Sequence, residues 1–240
     1  MKKIAVSAVS YTNTLPFLNG IRNSADVMNA IDLSVDYPRE CGRKVKEHEA
    51  DLGIIPVAVL ATLPEYHIIS DYCIGSDGAV NSVFIFSDKP IEDIDTLRLD
   101  PQSRTSNGLA RILLKHYWKK DIEVVEEGDA DAYVLIGDRS FGKNYEVPYA
   151  YDLGHYWKEL TGLPFAYAVW VSTRELPQDF QDDFNQALAA GVADPEAVIP
   201  GLAPYKNFDY TEYLTQYLDF HLTADKRKAI DTYLELYKQL

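Results

Sequence analysis

Cysteine is nearly absent from this chain of 240 residues: Cys41 and Cys73 are the only two. They form no disulfide framework and no metal-ligand spacing, and scattered thiols fit a reducing compartment. Long apolar runs are absent too. No stretch approaches the ~20 apolar residues needed to cross a bilayer. Met1-Lys2-Lys3 followed by Ile-Ala-Val-Ser-Ala-Val has the outline of a signal peptide. That run is too short, and Tyr11-Thr12-Asn13 interrupts it without a cleavage site. The chain therefore reads as a soluble cytoplasmic protein. Positive charge is scarce: 23 Lys and Arg stand against 37 Asp and Glu, a formal net charge of −14. This balance argues against nucleic acid and anionic membranes as partners. It also repels anionic substrates at long range, so an anion site has to be local and preorganised. Phosphate-loop and dinucleotide signatures are missing, as are His/Cys/carboxylate clusters, internal repeats and low-complexity segments.

What is present is an alternation of short apolar runs with helical patterns. The 47% hydrophobic content supports one large domain or two lobes of roughly 100 residues each. Strands are predicted over 3–10, 31–37, 50–56, 68–75 and 82–86, with helices over 39–48 and 57–63 between them. Asp88-Lys89-Pro90 looks like a crossing linker. A second α/β pattern follows: strand 96–99, helix 105–118, strands 121–125 and 132–136, and a helix near 153–160. Phe165 to Ser172 is a long extended run that suits a return crossing, and the remainder reads as helices, the last capped by Thr223. The second unit is thus inserted into the first. The expected division is 1–87 with 173–240 as one lobe and 88–172 as the other, joined by crossings near 86–89 and 170–173. A single large doubly wound sheet is the competing architecture.

Two strand-to-helix turns stand out. Leu99-Asp100-Pro101-Gln102-Ser103-Arg104-Thr105-Ser106 ends a strand and opens a helix with hydroxyl-rich capping residues. Unpaired N–H groups and the helix dipole make such a junction an anion site, and Arg104 adds a charged fork of donors. Ser10-Tyr11-Thr12-Asn13-Thr14-Leu15-Pro16 is the second junction; Asn13 or Thr14 can cap and Pro16 suits a first helical turn. In open α/β sheets, ligands bind beyond the carboxyl ends of the strands. Two lobes facing each other would grip one anion with these turns. Ordinary capped helices with a solvated Arg104 are the plainer alternative.

Four stretches resemble one family: Ser10 through Pro16; Asp71-Tyr72-Cys73-Ile74-Gly75 through Asn81-Ser82-Val83; Leu99 through Ser106; and Tyr151-Asp152-Leu153-Gly154 through Trp157, Thr161-Gly162-Leu163-Pro164-Phe165 and Trp170. The chain looks like a chorismate dehydratase of the futalosine route to menaquinone, from its first strand to about Trp170. Thr12 and Ala79 depart from the family pattern, which favours an aliphatic residue and a proline there. The resemblance implies a bilobal, periplasmic-binding-protein-like (type II) α/β fold with a two-crossing hinge and a substrate bound between the lobes. It implies chorismate as the small-molecule substrate, a carbon–oxygen lyase reaction and no cofactor; oligomeric state stays open. The related 1,4-dihydroxy-6-naphthoate synthase branch carries a site histidine, and none of the five histidines here lies in the matched turns. A solute-binding protein that only captures its ligand and a ligand-sensing module are the non-enzymatic alternatives. The absent signal peptide counts against the first, and the absence of a DNA-binding segment against the second.

The implied site has Asn13, Ser82 and Thr105 as catalytic residues. Ser10, Tyr11, Ser103, Arg104, Ser106, Gly137, Asp138 and Asp152 would bind substrate. The base stays open between Asp138, Asp152 and the substrate's own enolpyruvyl carboxylate, since an aspartate beside a dianion is electrostatically awkward. Each residue also has a plainer role. Asn13 and Asp152 suit helix caps, Ser82 a packed strand position, and Tyr11, Trp157 and Trp170 a core or cleft wall.

Overall fold

A computed structural model describes residues 3–240. Met1 and Lys2, which begin the basic start of the chain, lie outside the described residues. The first sheet is built from β1 (Ile4–Val9), β2 (Ile31–Asp36), β3 (Leu52–Pro56) and β4 (His67–Ser76). Helices α1 (Leu15–Asn23), α2 (Ala25–Ala30), α3 (Pro38–Lys46) and α4 (Val57–Leu60) connect these strands. The chain then crosses and forms β5 (Val83–Ser87), β6 (Thr96–Arg98), α5 (Arg104–His116), β7 (Glu123–Val125), β8 (Ala132–Ile136), β9 (Tyr149–Asp152) and α6 (Leu153–Thr161). It returns as β10 (Phe165–Ser172) and closes with α7 (Gln178–Ala193), the short α8 (Tyr210–Glu212) and α9 (Ala224–Tyr237).

The two five-stranded sheets have one plan. Their orders are β2-β1-β3-β10-β4 and β7-β6-β8-β5-β9. In each, the fourth position is taken by the strand that has just arrived from the other half, and it pairs antiparallel with both neighbours. The central strands are buried on both faces and read as continuous apolar runs, as in Leu52–Pro56 and Val83–Ser87.

This topology corrects the expected boundaries. β5 belongs to the second sheet and β10 to the first, so the chain passes between sheets at 77–82 and 162–164, not at 86–89 and 170–173. The reason is physical: an apolar strand is equally well buried in either sheet, so its pattern does not say which it joins. Nor does the segment 173–240 keep to one half. α7 packs on α1 and β4, whereas α9 packs on both β10 and α5. A single continuous sheet is excluded.

The core follows the aromatic residues. Trp157, Trp170, Phe17, Phe165 and Tyr233 are fully buried, and Trp157 and Trp170 lie in the core, outside the cavity described below. Cys41 and Cys73 are free and buried. Among the described residues, no helix is long and apolar enough to cross a membrane.

Candidate active site

The carboxyl ends of β1, β3 and β8 and the start of α5 meet at a cavity of about 60 Å³. Asn13 and Tyr11 enter it from the first half, Ser103, Thr105, Ser106 and Gly137 from the second, and Ser82 from the crossing. Val9, Pro56, Ile74, Val80 and Ile136 make the apolar walls. No residue that lines it carries a formal charge.

The α5 start is organised as its sequence dictates. Ser103 is the N-cap: its Oγ accepts from the Ser106 N–H at 3.1 Å and donates to Ser106 Oγ at 2.9 Å. Thr105 Oγ1 reaches across to the first half and accepts from the Ala58 N–H at 3.0 Å, inside the first turn of α4. A hydroxyl that accepts keeps its own proton to donate. Thr105 and Ser106 therefore present hydroxyl donors at the positive end of a 13-residue helix. Arg104, one position earlier, is exposed and lies outside the lining.

The opposite turn is held by its partners in the second half. Gly137 has φ +60°, and a Cβ there would meet the Tyr11 ring at 2.8 Å. Glycine therefore lets Tyr11 lie flat against this turn. The Tyr11 phenol bonds Gln102 of the α5 approach and lies 3.5 Å from Arg139 Nη2. Burial pushes its pKa up. Asp138 accepts from the Thr12 N–H at 3.1 Å and from Thr12 Oγ1 at 3.0 Å, so its carboxylate ties the two halves together. Burial raises its pKa as well, against the pull of the Thr12 donors.

Asn13, Ser82, Thr105, Tyr11, Ser103, Ser106 and Gly137 thus gather at one cavity. Four nominated residues do not line it. Ser10 is exposed, and its N–H donates to the Asp36 carbonyl, extending the β1–β2 pairing. Arg104 points to solvent because helical periodicity turns it away from the buried Thr105 and Ser106. Asp138 is engaged by Thr12. Asp152 accepts from the N–H groups of Val80, Asn81, Gly154 and His155. It caps α6 and fastens the crossing loop, where Asn81 adopts φ +55°. Two tyrosines were not anticipated. Tyr167 of β10 lines the cavity, and Tyr213 donates to Ser82 Oγ at 3.0 Å. Nothing in their local pattern separates them from ordinary core aromatics.

Two similar sheets, two crossings and a hydroxyl-lined cleft between the carboxyl ends define a periplasmic-binding-protein-like fold. Solved structures share it. A protein from Archaeoglobus fulgidus matches with a TM-score of 0.76 at 17% identity, covering 99% of this chain and 97% of that one. A Candida albicans protein described as having the generic periplasmic binding protein fold gives 0.69 at 11% identity, covering 100% and 91%. The alkanesulfonate-binding protein SsuA from Xanthomonas axonopodis pv. citri gives 0.61 at 13% identity, covering 99% and 92%. Within this class the chain belongs to the menaquinone biosynthesis family, whose model matches residues 4–239. It is 26% identical over 203 residues to a chorismate dehydratase of Thermus thermophilus, covering 74% of this chain and 72% of that one.

Proposed function

We propose that this protein is a chorismate dehydratase of the cytoplasm, converting chorismate to 3-[(1-carboxyvinyl)oxy]benzoate and water. The observation that carries the reading is a cleft whose walls offer neutral donors at a helix start and no charged side chain. The family match and the dehydratase relative support the same pathway and substrate.

The chemistry fits such a site. The proton on the ring carbon bearing the enolpyruvyl ether is vinylogous to the ring carboxylate, and its removal sends negative charge onto that carboxylate. Hydroxide leaves from the adjacent carbon, and the ring becomes aromatic, which drives the reaction forward. What the protein has to supply is donors for the growing charge, and one preorganised donor is worth ~3 kcal/mol. Thr105 and Ser106, with the N-terminus of α5, receive the ring carboxylate. Asn13 holds the leaving hydroxyl or the second carboxylate, and Ser82 donates from the crossing side. Asp138 and Asp152 are occupied by backbone N–H groups, so the substrate's own enolpyruvyl carboxylate takes the proton and passes it to the departing hydroxide, which leaves as water.

Purified protein incubated with chorismate should lose it and gain product one water lighter, followed by chromatography with mass detection. Chorismate bound but never converted would leave a binding protein. Conversion of cyclic dehypoxanthinylfutalosine instead would move the chain to the naphthoate-synthase branch.

A further inference from the structure

Tyr213 stands outside the cavity wall, yet it touches the residues that form it. It begins a π-helical turn, Tyr213–Tyr217, directly after α8. Its ring is fully buried and is held edge-on by Phe141 at 5.1 Å and against Phe208 at 5.2 Å. Phe141 and Phe208 themselves stack at 3.7 Å. This packing leaves the phenol no room to swing. The phenol donates to Ser82 Oγ at 3.0 Å. Burial holds the phenol pKa well up, so it remains a donor throughout the ordinary pH range.

Ser82 Oγ is itself buried, and among the described residues Tyr213 is its one side-chain hydrogen-bond partner. A serine hydroxyl has one proton and a free rotor. Once its oxygen accepts from the phenol, its proton is left to point elsewhere, and Ser82 lines the cavity. A phenylalanine at 213 would fill the same aromatic niche without arranging that hydroxyl. We propose that Tyr213 is a positioning residue, its phenol setting the Ser82 hydroxyl as a donor into the cleft between Asn13 and the α5 start. This inference rests on the dehydratase reading. It also makes the C-terminal segment part of the reaction machinery.

Tyr213→Phe removes one oxygen and keeps the ring. With chorismate, kcat should fall about tenfold or more while KM stays within about twofold, the pattern of an interaction that matters most in the transition state. In a Ser82→Ala background the same substitution should change kcat less than about twofold, because the group it arranges is gone. Native kcat for Tyr213→Phe overturns the inference alone, and so does an equal loss in both backgrounds. A Tyr213→Phe chain that fails to fold also overturns it, since the bond would then be structural. Unsubstituted protein that binds chorismate without converting it overturns the dehydratase reading, and the inference with it.

Discussion

Asp138 shows how one carboxylate serves the joint between the two halves. Its oxygens take both donors of Thr12, the residue that opens the turn carrying Asn13. Burial holds its pKa above the ordinary 3.8. The folded chain therefore keeps this proton at pH values where the unfolded chain has released it. The stability linked to the group is complete below about pH 3.8 and declines as pH rises through the raised value. Urea unfolding of the native chain and Asp138→Asn, from about pH 4 to about pH 7, checks the sign. The advantage of the native chain over the variant should shrink as pH rises. A constant difference would mean that Asp138 titrates alike in the folded and unfolded chains.

Helices α1 and α7 meet where both carry glycine. A Cβ on Gly20 would stand 2.0 Å from the Ala187 carbonyl oxygen, and one on Gly191 would stand 2.0 Å from that of Pro16. These are backbone atoms, so no side chain can move aside. Two effects compete in Gly191→Ala. Helix propensity favours the alanine by ~1 kcal/mol. Overpacking costs ~1–3 kcal/mol or more, and with a contact this short it prevails. The urea midpoint should therefore fall. An unchanged or higher midpoint would show that the two helices part easily. At α5 the local rule and the tertiary role coincide: Ser103 caps as its residue type predicts, and Thr105 uses its hydroxyl on the other half.

The molecule as a whole is described in a closed form. Thr12 to Asp138, Ala58 to Thr105 and Tyr11 to Gln102 all bridge the cleft. The cavity of about 60 Å³ is far below the ~300–1,000 Å³ of pockets that hold small organic ligands. A substrate of chorismate's size thus requires the halves to separate, and the crossings at 77–82 and 162–164 are where the backbone must turn. Solution scattering should give the free protein a larger radius of gyration than the closed form, decreasing at saturating 3-[(1-carboxyvinyl)oxy]benzoate. A free protein that already matches the closed form, with no change on adding ligand, would rule out hinge opening as the route of entry.

Sequence by itself determined the local elements and the chemistry at their ends. The apolar or alternating runs of β1 to β5, the cap at Ser103, the cap at Thr223 and the proline inside α1 are set by neighbours within a few residues, so pattern and propensity suffice. Two short elements escaped: β9 has four residues, only partly buried, and α2 has six. Seven of the eleven nominated site residues line the cavity; five of them, Tyr11, Asn13, Ser103, Thr105 and Ser106, sit in strand-to-helix turns that are legible as turns, while Ser82 was named through the family resemblance. Tertiary structure decided the rest. Which sheet receives β5 or β10 depends on pairing with strands far along the chain, and burial is alike in both. Whether a carboxylate faces substrate or backbone depends on what is brought to it. For Asp138 that is Thr12, 126 positions away, and for Asp152 it is Val80, 72 away. Tyr213 meets Ser82 across 131 positions, a distance over which no periodicity carries information.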